Sequence, residues 1–210
     1  ARPNALRQQM WKEVVPQHIN YSLNERANQG IGVEHFGTIH LGPATMDEMD
    51  ESFSHSSLGE LPKNPIIEMT IPSTIDRTIV PDQTSHVINL FCQYAPEKPK
   101  MGPWSDPKVK EQFAENVFDS IEQYAPGFKS SIVGKDILSP YDLEQIYGLK
   151  GGNIFHGSMG LENLYSGRPA LSCPGPKTPI DGLFICGSGS HPGGGVTGFP
   201  AVVAAESLSQ

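Results

Sequence analysis

Apolar residues recur at intervals of three and four along several stretches of the chain, the spacing that one face of an α-helix produces. The clearest stretch runs from 107 to 124, with Asp106 placed to cap the helix and Pro107 in its first turn, where a missing N–H costs nothing. A second stretch covers residues 4 to 15 and is stopped by Pro16. Both stretches predict amphipathic helices with one apolar face against a core.

Two further helices are predicted from their terminal residues. Thr45 and Glu48 have the spacing of a capping box, and the helix that they open carries an apolar stripe until Gly59. Pro140 opens the other helix, which closes at Gly148. The stripe of the first helix consists of Met46, Met49 and Phe53. We expect this stripe to belong to the core, with the lining of a substrate channel as the alternative.

Four stretches of the chain predict β-strands. Residues 33–41 form the first, and residues 66–71 alternate apolar and polar positions, as a half-buried strand does. Residues 86–94 are nearly continuous in apolar side chains, which favours a more central strand. Residues 183–186 predict a buried strand that runs into a glycine-rich loop and then into a short helix ending near Leu208.

Composition narrows the class of protein. Hydrophobic residues make up 37% of the 210 positions and charged residues 18%, which is typical of a chain that folds around a core. The net charge of -8 comes without a stripe of Lys or Arg, so we expect no nucleic-acid partner. No apolar run is long enough for a transmembrane segment. The three cysteines form no C-x-x-C pair, which predicts a reducing, intracellular setting, with Cys186 as a small core residue.

The histidines do not have the spacing of metal ligands. His35 and His40 lie five positions apart at a predicted strand and would point to opposite faces of a sheet. Surface or capping roles are predicted for the others that the sequence singles out, His18, His55, His86 and His156. We therefore expect no metal site.

Glycines are concentrated in one segment near the end of the chain. Residues 187–198, GSGSHPGGGVTG, hold six glycines in twelve positions. Glycines allow the main chain to approach a ligand closely, and the free N–H groups where a helix begins attract negative charge. A cofactor loop is therefore one interpretation, and a loose surface loop with glycine turns is the other.

Three familiar motifs are excluded for this loop. The nucleoside-triphosphate loop requires a Lys after its last glycine, and Gly194 is followed by Gly195 and Val196 instead. Gly193, Gly195 and Gly198 have the letters of the dinucleotide fingerprint, but only twelve residues follow, too few for a second strand and its acidic residue. No serine stands in the G-x-S-x-G elbow of hydrolases.

The glycine loop and the segment before it resemble a known family. GLFICGSGSHPGGGVTG, residues 182–198, resembles the C-terminal flavin signature of the phytoene desaturase-like, FAD-dependent oxidoreductases. HGSMGLENLYSGRP, residues 156–169, is similar to the segment that precedes this signature in carotenoid desaturases. With residues 66–73 and 121–157, the resemblance covers most of the chain from about His35 onward.

The resemblance implies the C-terminal part of a two-domain flavin oxidoreductase. The fold class is then α+β and α/β, an antiparallel-sheet substrate domain with the final strand, loop and helix of the FAD domain. Residues 1–34 would form an N-terminal helix and linker, residues 35–149 the substrate-domain portion, and residues 150–210 the segment that returns to the FAD-binding domain. The 210 residues contain no N-terminal dinucleotide fingerprint. We therefore expect the isolated chain to hold FAD weakly or not at all and to be inactive.

The same resemblance assigns the glycine loop to FAD. Gly187 and Ser188 would lie near the pyrophosphate and the ribityl chain, and the backbone N–H groups of residues 194–196 would face the ribityl chain and the isoalloxazine ring. The helix after Thr197 would stabilise negative charge on the reduced flavin. The implied cofactor-binding residues are Gly187, Ser188, His191, Pro192, Gly193, Gly194, Gly195, Val196, Thr197 and Gly198. Two roles remain possible for Arg168, which precedes Pro169: it could anchor the loop or contact the ligand.

The implied reaction, of desaturase or dehydrogenase type, transfers a hydride from a hydrophobic small-molecule substrate, such as a polyene, to the flavin. The sequence names no catalytic acid or base, because the cofactor carries the reaction. The resemblance also implies a mitochondrial (matrix) location, and a protein partner or a homo-oligomer stays open. The alternative function is a non-catalytic interaction module derived from such an enzyme, which the missing fingerprint favours for this chain.

Overall fold

The structure is a computed structural model that describes residues 35–82, 84–157 and 160–209. The helix expected between residues 4 and 15 lies outside the described residues. The chain divides into two compact units, Ala1–Ser139 and Pro140–Gln210, which we call the sheet unit and the loop unit.

The sheet unit contains a three-stranded antiparallel sheet. Its strands are β1 (Ile39–Leu41), β2 (Ile66–Thr70) and β3 (Asn89–Gln93), in the spatial order β1-β2-β3. Met69 lies opposite Ile39 on one side and Leu90 on the other. The alternation predicted for β2 is confirmed, because Ile67 and Met69 are completely buried while the other three residues of the strand are half-buried.

The prediction that residues 86–94 form a more central strand is wrong. Within the described residues β3 lies at an edge of the sheet, and β2 is the strand paired on both sides. The apolar run is misleading because it serves both faces: Leu90 and Cys92 pack against the core, whereas Phe91 is 50% exposed on the opposite face. The first predicted strand is also shorter than expected, since β1 begins at Ile39.

One long helix covers the inner face of the sheet. It is α2 (Pro107–Tyr124), with the predicted bounds, and the Asp106 side chain accepts a hydrogen bond from the Lys108 N–H as the predicted cap. Its buried face consists of Val109, Phe113, Ala114, Val117, Phe118, Ser120 and Ile121. Trp104 lies edge-on to Phe113, with ring centroids 5.8 Å apart, and its indole N–H donates to the Pro96 carbonyl oxygen. This helix and the sheet form the core of the unit.

The helix before β2 has the predicted start but not the predicted burial. In α1 (Met46–Ser57) the Thr45 hydroxyl accepts from the Glu48 N–H, and the Glu48 carboxylate accepts from the Thr45 N–H, which confirms the capping box. The core prediction for its stripe is wrong, because Met46 is 71% and Phe53 55% exposed. The Phe53 ring instead lies edge-on to Tyr94, 5.3 Å between centroids.

The loop unit consists mainly of turns. Its regular elements are α3 (Pro140–Tyr147), the two-residue strands β4 (Pro169–Ala170) and β5 (Cys173–Pro174), which pair with each other, and α4 (Phe199–Leu208). Both helices are where the sequence predicts them, and α3 is followed by Gly148 with a φ of +70°.

The buried strand predicted at residues 183–186 is wrong. Phe184 makes one antiparallel bridge with Lys177, while Leu183, Ile185 and Cys186 are exposed, so Cys186 is not a core residue. The physical reason is that no strand of the described residues pairs with this segment beyond the single bridge at Phe184, so no sheet covers its apolar side chains.

Mixed helices and small antiparallel sheets make the fold α+β, as expected at the coarse level. In the part of the chain that the structure describes, no helix combines the length and the apolar character needed to cross a membrane.

Candidate functional site

The first half of the glycine loop is tightly folded. The N–H of Ser190 donates to the Gly187 carbonyl oxygen at 3.0 Å, and the N–H of Gly193 donates to the Ser190 carbonyl oxygen at 2.8 Å. Ser190 is completely buried, and its hydroxyl also donates to the Gly187 carbonyl oxygen. Two successive turns therefore fix residues 187–193.

The second half of the loop is open to solvent and conformationally unusual. Residues 194–199 are exposed, and Gly195 and Gly198 have φ values of +115° and +70°. Val196 also has a positive φ, +56°, although it is β-branched, and its side chain is fully exposed. A β-branched residue in this region is strained by on the order of 1–3 kcal/mol, and such strain clusters at ligand sites.

Backbone donors are left available where α4 begins. The N-cap residue of α4 is Gly198, which has no side chain to accept from the first N–H groups, and Pro200 has no N–H to donate. The Thr197 hydroxyl accepts from the Phe199 N–H at 3.2 Å. The N–H groups of residues 194–198 donate to no other group of the described chain. An exposed row of donors at a helix N-terminus suits an anionic or hydrogen-bond-accepting ligand.

Arg168 has the contacts of a loop anchor, one of its two predicted roles. Its side chain is 5% exposed; Nε donates to the Asn163 carbonyl oxygen at 2.8 Å, and Nη1 donates to that of Phe155 at 2.7 Å and to that of Ser188 at 3.3 Å. The peptide bond between Arg168 and Pro169 is cis, as is the one between His191 and Pro192.

The ten implied cofactor-binding residues form one continuous segment of the loop unit. Its two halves approach each other at Ser188, whose Cβ lies 3.8 Å from where a Cβ on Gly194 would be. The imidazole Nδ1 of His191 is buried and has no hydrogen-bond partner among the described residues. Val196 is among the implied cofactor-binding residues, but its strained backbone has no signal in the sequence. The buried Ser190 is not among them, and its position carries no signal beyond its place in a glycine-rich loop.

Two of the glycines are not required by the contacts of the chain itself. A Cβ on Gly187 would meet nothing within 4 Å, and one on Gly194 would make only ordinary van der Waals contact with Ser188. Neither residue has a φ in the left-handed region. Glycine at these positions leaves space beside the main chain that a ligand could fill. The loop carries no Asp, Glu, Lys or Arg, so its chemistry is that of neutral backbone donors, which fits the phosphate and ribityl groups of a flavin nucleotide.

His156 lies beside the loop, with its Nδ1 3.9 Å from where a Cβ on Gly189 would be. His18 lies outside the described residues, and His35 and His40 belong to the sheet unit. His35 is buried and its carbonyl oxygen accepts from the Thr74 hydroxyl, whereas His40 on β1 is exposed. Among the residues described, no group of three or more His, Cys, Asp or Glu side chains could hold a metal ion. The cysteines Cys92, Cys173 and Cys186 are free thiols. Burial raises the pKa of the Cys92 thiol to about 12, so it is not a reactive nucleophile.

Known proteins resemble this chain over most of its length. No protein-family profile matches it. Phytoene desaturase (lycopene-forming) of Pantoea ananas is 27% identical over 77% of this chain and 31% of its own length. One of the subunits of limonene dehydrogenase from Castellaniella defragrans is 24% identical over 81% of this chain and 31% of its own length.

Identity is higher to an animal protein. The chain is 46% identical to pyridine nucleotide-disulfide oxidoreductase domain-containing protein 2 of Rattus norvegicus over 164 residues, and 44% identical to that of Mus musculus. In both cases the match covers 78% of this chain and 28% of the relative. The chain is therefore related to this oxidoreductase domain-containing protein and, at lower identity, to phytoene desaturases, which confirms the resemblance that the sequence motifs indicate. It spans less than a third of the length of these curated relatives.

Proposed function

We propose that this chain is the C-terminal portion of an FAD-dependent oxidoreductase of desaturase or dehydrogenase type. The observation that carries the proposal is the exposed row of backbone N–H donors at residues 194–198, at the start of α4, in a chain that is related to an oxidoreductase domain-containing protein. In this proposal residues 35–149, which include the described part of the sheet unit, form the substrate-domain portion, and residues 150–210 return to the FAD-binding domain.

The apolar surface of the loop unit supports the idea that the chain is part of a longer protein. The sequence of α4, FPAVVAAESL, has one charged residue, and only Pro200 and Ala204 of this helix are buried. A helix that is apolar on all sides is normally surrounded by protein. The exposed apolar side chains of Leu183 and Ile185 would also normally be covered by protein. In the proposed full-length protein, the remainder of the FAD-binding domain would cover these side chains.

Each part of the loop would have a separate role toward the cofactor. The turns at Gly187 and Ser188 would lie near the pyrophosphate and ribityl chain, and the N–H groups of residues 194–196 would bind the ribityl and ring acceptors. Because these groups are already free of protein partners, binding would break no internal hydrogen bond. The dipole of α4 would stabilise negative charge by on the order of 1 kcal/mol. FAD, when bound, supplies the capacity to accept a hydride from an activated C–H bond.

The substrate in this proposal is a hydrophobic small molecule. The names of two relatives, phytoene desaturase and limonene dehydrogenase, refer to hydrocarbon substrates. A mitochondrial location and a protein partner or homo-oligomer belong to the proposal as implications of the resemblance. The proposal assigns no acid or base, since hydride transfer needs mainly the positioning of the substrate and the flavin.

The test is flavin retention by the full-length protein and two glycine variants. We expect the purified wild type to carry flavin at one equivalent, and Gly194→Leu to lose it, because the new side chain would fill the space beside the loop backbone. Gly134→Leu is the matched control: this glycine is also exposed, has no positive φ, and a Cβ placed on it would meet nothing within 4 Å. Flavin content is read from the absorption spectrum of the protein.

Two results would contradict the proposal in different ways. Full flavin loading of Gly194→Leu would remove the loop from the cofactor site. A colourless wild type whose sequence upstream of Ala1 has no dinucleotide fingerprint would favour the non-catalytic interaction module instead.

A further inference from the structure

We propose that Arg168 is the positioning residue of the candidate cofactor loop: its buried guanidinium holds residues 187–193 in the shape that lets the following N–H groups face a ligand. This inference rests on the proposed function for the identity of the ligand, and on the geometry of the loop unit for everything else. No role for this arginine follows from the family motifs alone, which leave it open between an anchor and a ligand contact.

The guanidinium ties three separate segments together. It donates to the main chain of Phe155 in the segment after α3, to that of Asn163 in the next turn, and to that of Ser188 in the glycine loop. Its own carbonyl oxygen accepts from the Gly175 N–H at 2.9 Å, which joins the residue to the turn after β5. A single buried side chain therefore connects segments up to 20 residues away in sequence.

The side chain approaches the folded half of the loop at two places. Nη1 donates to the Ser188 carbonyl oxygen, and Cδ lies 4.0 Å from where a Cβ on Gly193 would be. Ser188 lies within the first of the two turns, and the Gly193 N–H closes the second. Without the guanidinium, the Ser188 and Phe155 carbonyl oxygens lose a charged donor, and the turns are held by the two backbone hydrogen bonds and the Ser190 hydroxyl alone.

The arrangement depends on the forked shape of arginine. Nε and Nη1 point to different carbonyl oxygens at 2.8 and 2.7 Å, from fixed positions on one planar group. A lysine would retain the positive charge, but its ammonium donates from a single point and cannot reproduce this fork. Replacing the arginine by lysine therefore separates the geometry of the contact from its charge.

The sheet unit offers a matched control in Arg77. This arginine also donates to main-chain carbonyl oxygens of a loop, those of Ser73, Asp82 and Ser85, but it belongs to the other unit. Its removal is expected to loosen residues 73–87 and to leave the glycine loop unchanged.

The experiment measures the loop with and without flavin in the full-length protein. In the flavin-free form, we expect Arg168→Ala to speed amide hydrogen exchange at Ser190 and Gly193 about tenfold or more, and Arg168→Lys to speed it as well but less. Flavin retention should fall in the same order. Guanidinium ion at millimolar concentration should restore both properties to Arg168→Ala, and Arg77→Ala should change neither.

The outcomes distinguish this inference from the proposed function. Unchanged exchange at Ser190 and Gly193 in Arg168→Ala would overturn it whether or not the wild type binds flavin. Faster exchange with wild-type flavin retention would overturn it too, since the loop shape would then not matter for binding. If the wild type binds no flavin, the proposed function fails while the exchange data still decide whether Arg168 positions the loop. If Arg168→Ala does not fold, Arg168→Lys carries the same comparison.

Discussion

The sheet unit and the loop unit differ in where their apolar side chains are directed. In the sheet unit, α2 and the inner face of the sheet cover each other, and Ile121 is completely buried between them. In the loop unit, Ile185 belongs to an equally apolar run but is 37% exposed. The sheet unit thus completes its core from its own residues. In the loop unit, by contrast, the described residues leave several apolar side chains without a covering partner.

The largest expected effect is a difference in the free energy of unfolding when an isoleucine is replaced by alanine in each unit. Ile121→Ala removes a fully buried side chain and should lower the free energy of unfolding of the sheet unit by about 2–5 kcal/mol. Ile185→Ala should cost only about 1 kcal/mol in the 210-residue chain, because water already contacts part of that side chain. Urea unfolding of both variants measures the two costs.

The comparison becomes sharper in the full-length protein. If the remainder of the FAD-binding domain covers Ile185, as we propose, the cost of Ile185→Ala should rise there toward that of Ile121→Ala, while the cost at Ile121 stays the same. Equal costs for the two variants in the 210-residue chain would contradict the difference in burial. An unchanged cost at Ile185 in the longer protein would contradict the proposed covering of this surface.

A smaller effect is expected at the helix starts. The Thr45 hydroxyl and the Glu48 carboxylate satisfy the first N–H groups of α1, whereas α4 begins at a bare Gly198. Thr45→Ala should cost about 1 kcal/mol, the usual value of an N-cap. Thr197→Ala, which removes a single exposed hydrogen bond to the Phe199 N–H, should cost a few tenths of a kcal/mol in the flavin-free protein. Thermal unfolding compares them, and an equal loss at Thr197 would mean that the start of α4 is capped by its own residues.

These contrasts explain which parts of the fold could be predicted from the sequence. The bounds of α2 depend on Asp106, Pro107 and the local apolar spacing, all of which lie within the segment itself. The position of β3 at an edge could not be predicted in this way, because it depends on which strands pair with β2. The exposure of Leu183, Ile185 and Cys186 could not be predicted for the same reason, because the burial of a strand depends on its neighbours.

In the candidate site, too, some features depend on local sequence and others on contacts between distant residues. A run of six glycines in twelve positions before a helix is a local signal, and the loop and α4 lie where that signal predicts. The three carbonyl oxygens that meet Arg168 come from Phe155, Asn163 and Ser188, and no spacing in the sequence brings these residues together. Hydrogen bonds from one side chain to several distant segments can be seen only in the folded chain.

The smallest expected effect concerns a histidine beside the control arginine of the sheet unit. Burial first, and then the positive charge of Arg77, lower the pKa of His86 below its ordinary value of 6.5, with a further contribution from His35. The His86 Nδ1 lies 3.0 Å from the Ser73 hydroxyl and 3.5 Å from Nη1 of Arg77, so the neutral imidazole is the form that the fold accommodates.

The sign of the pH dependence follows from that direction. As the pH falls below about 6.5, His86 of the unfolded chain takes up a proton before His86 of the folded chain does, so the unfolded state binds more protons. This group therefore reduces the stability of the sheet unit as the pH falls, beginning near 6.5. His86→Gln should give a shallower decrease of the unfolding free energy as the pH falls below about 6.5, measured by urea unfolding at each pH. His40→Gln, at an exposed histidine of the same unit, controls for the deletion of an imidazole. A wild-type slope in His86→Gln would mean that the proton balance of the unit is set elsewhere, and that the arginine does not hold this imidazole neutral.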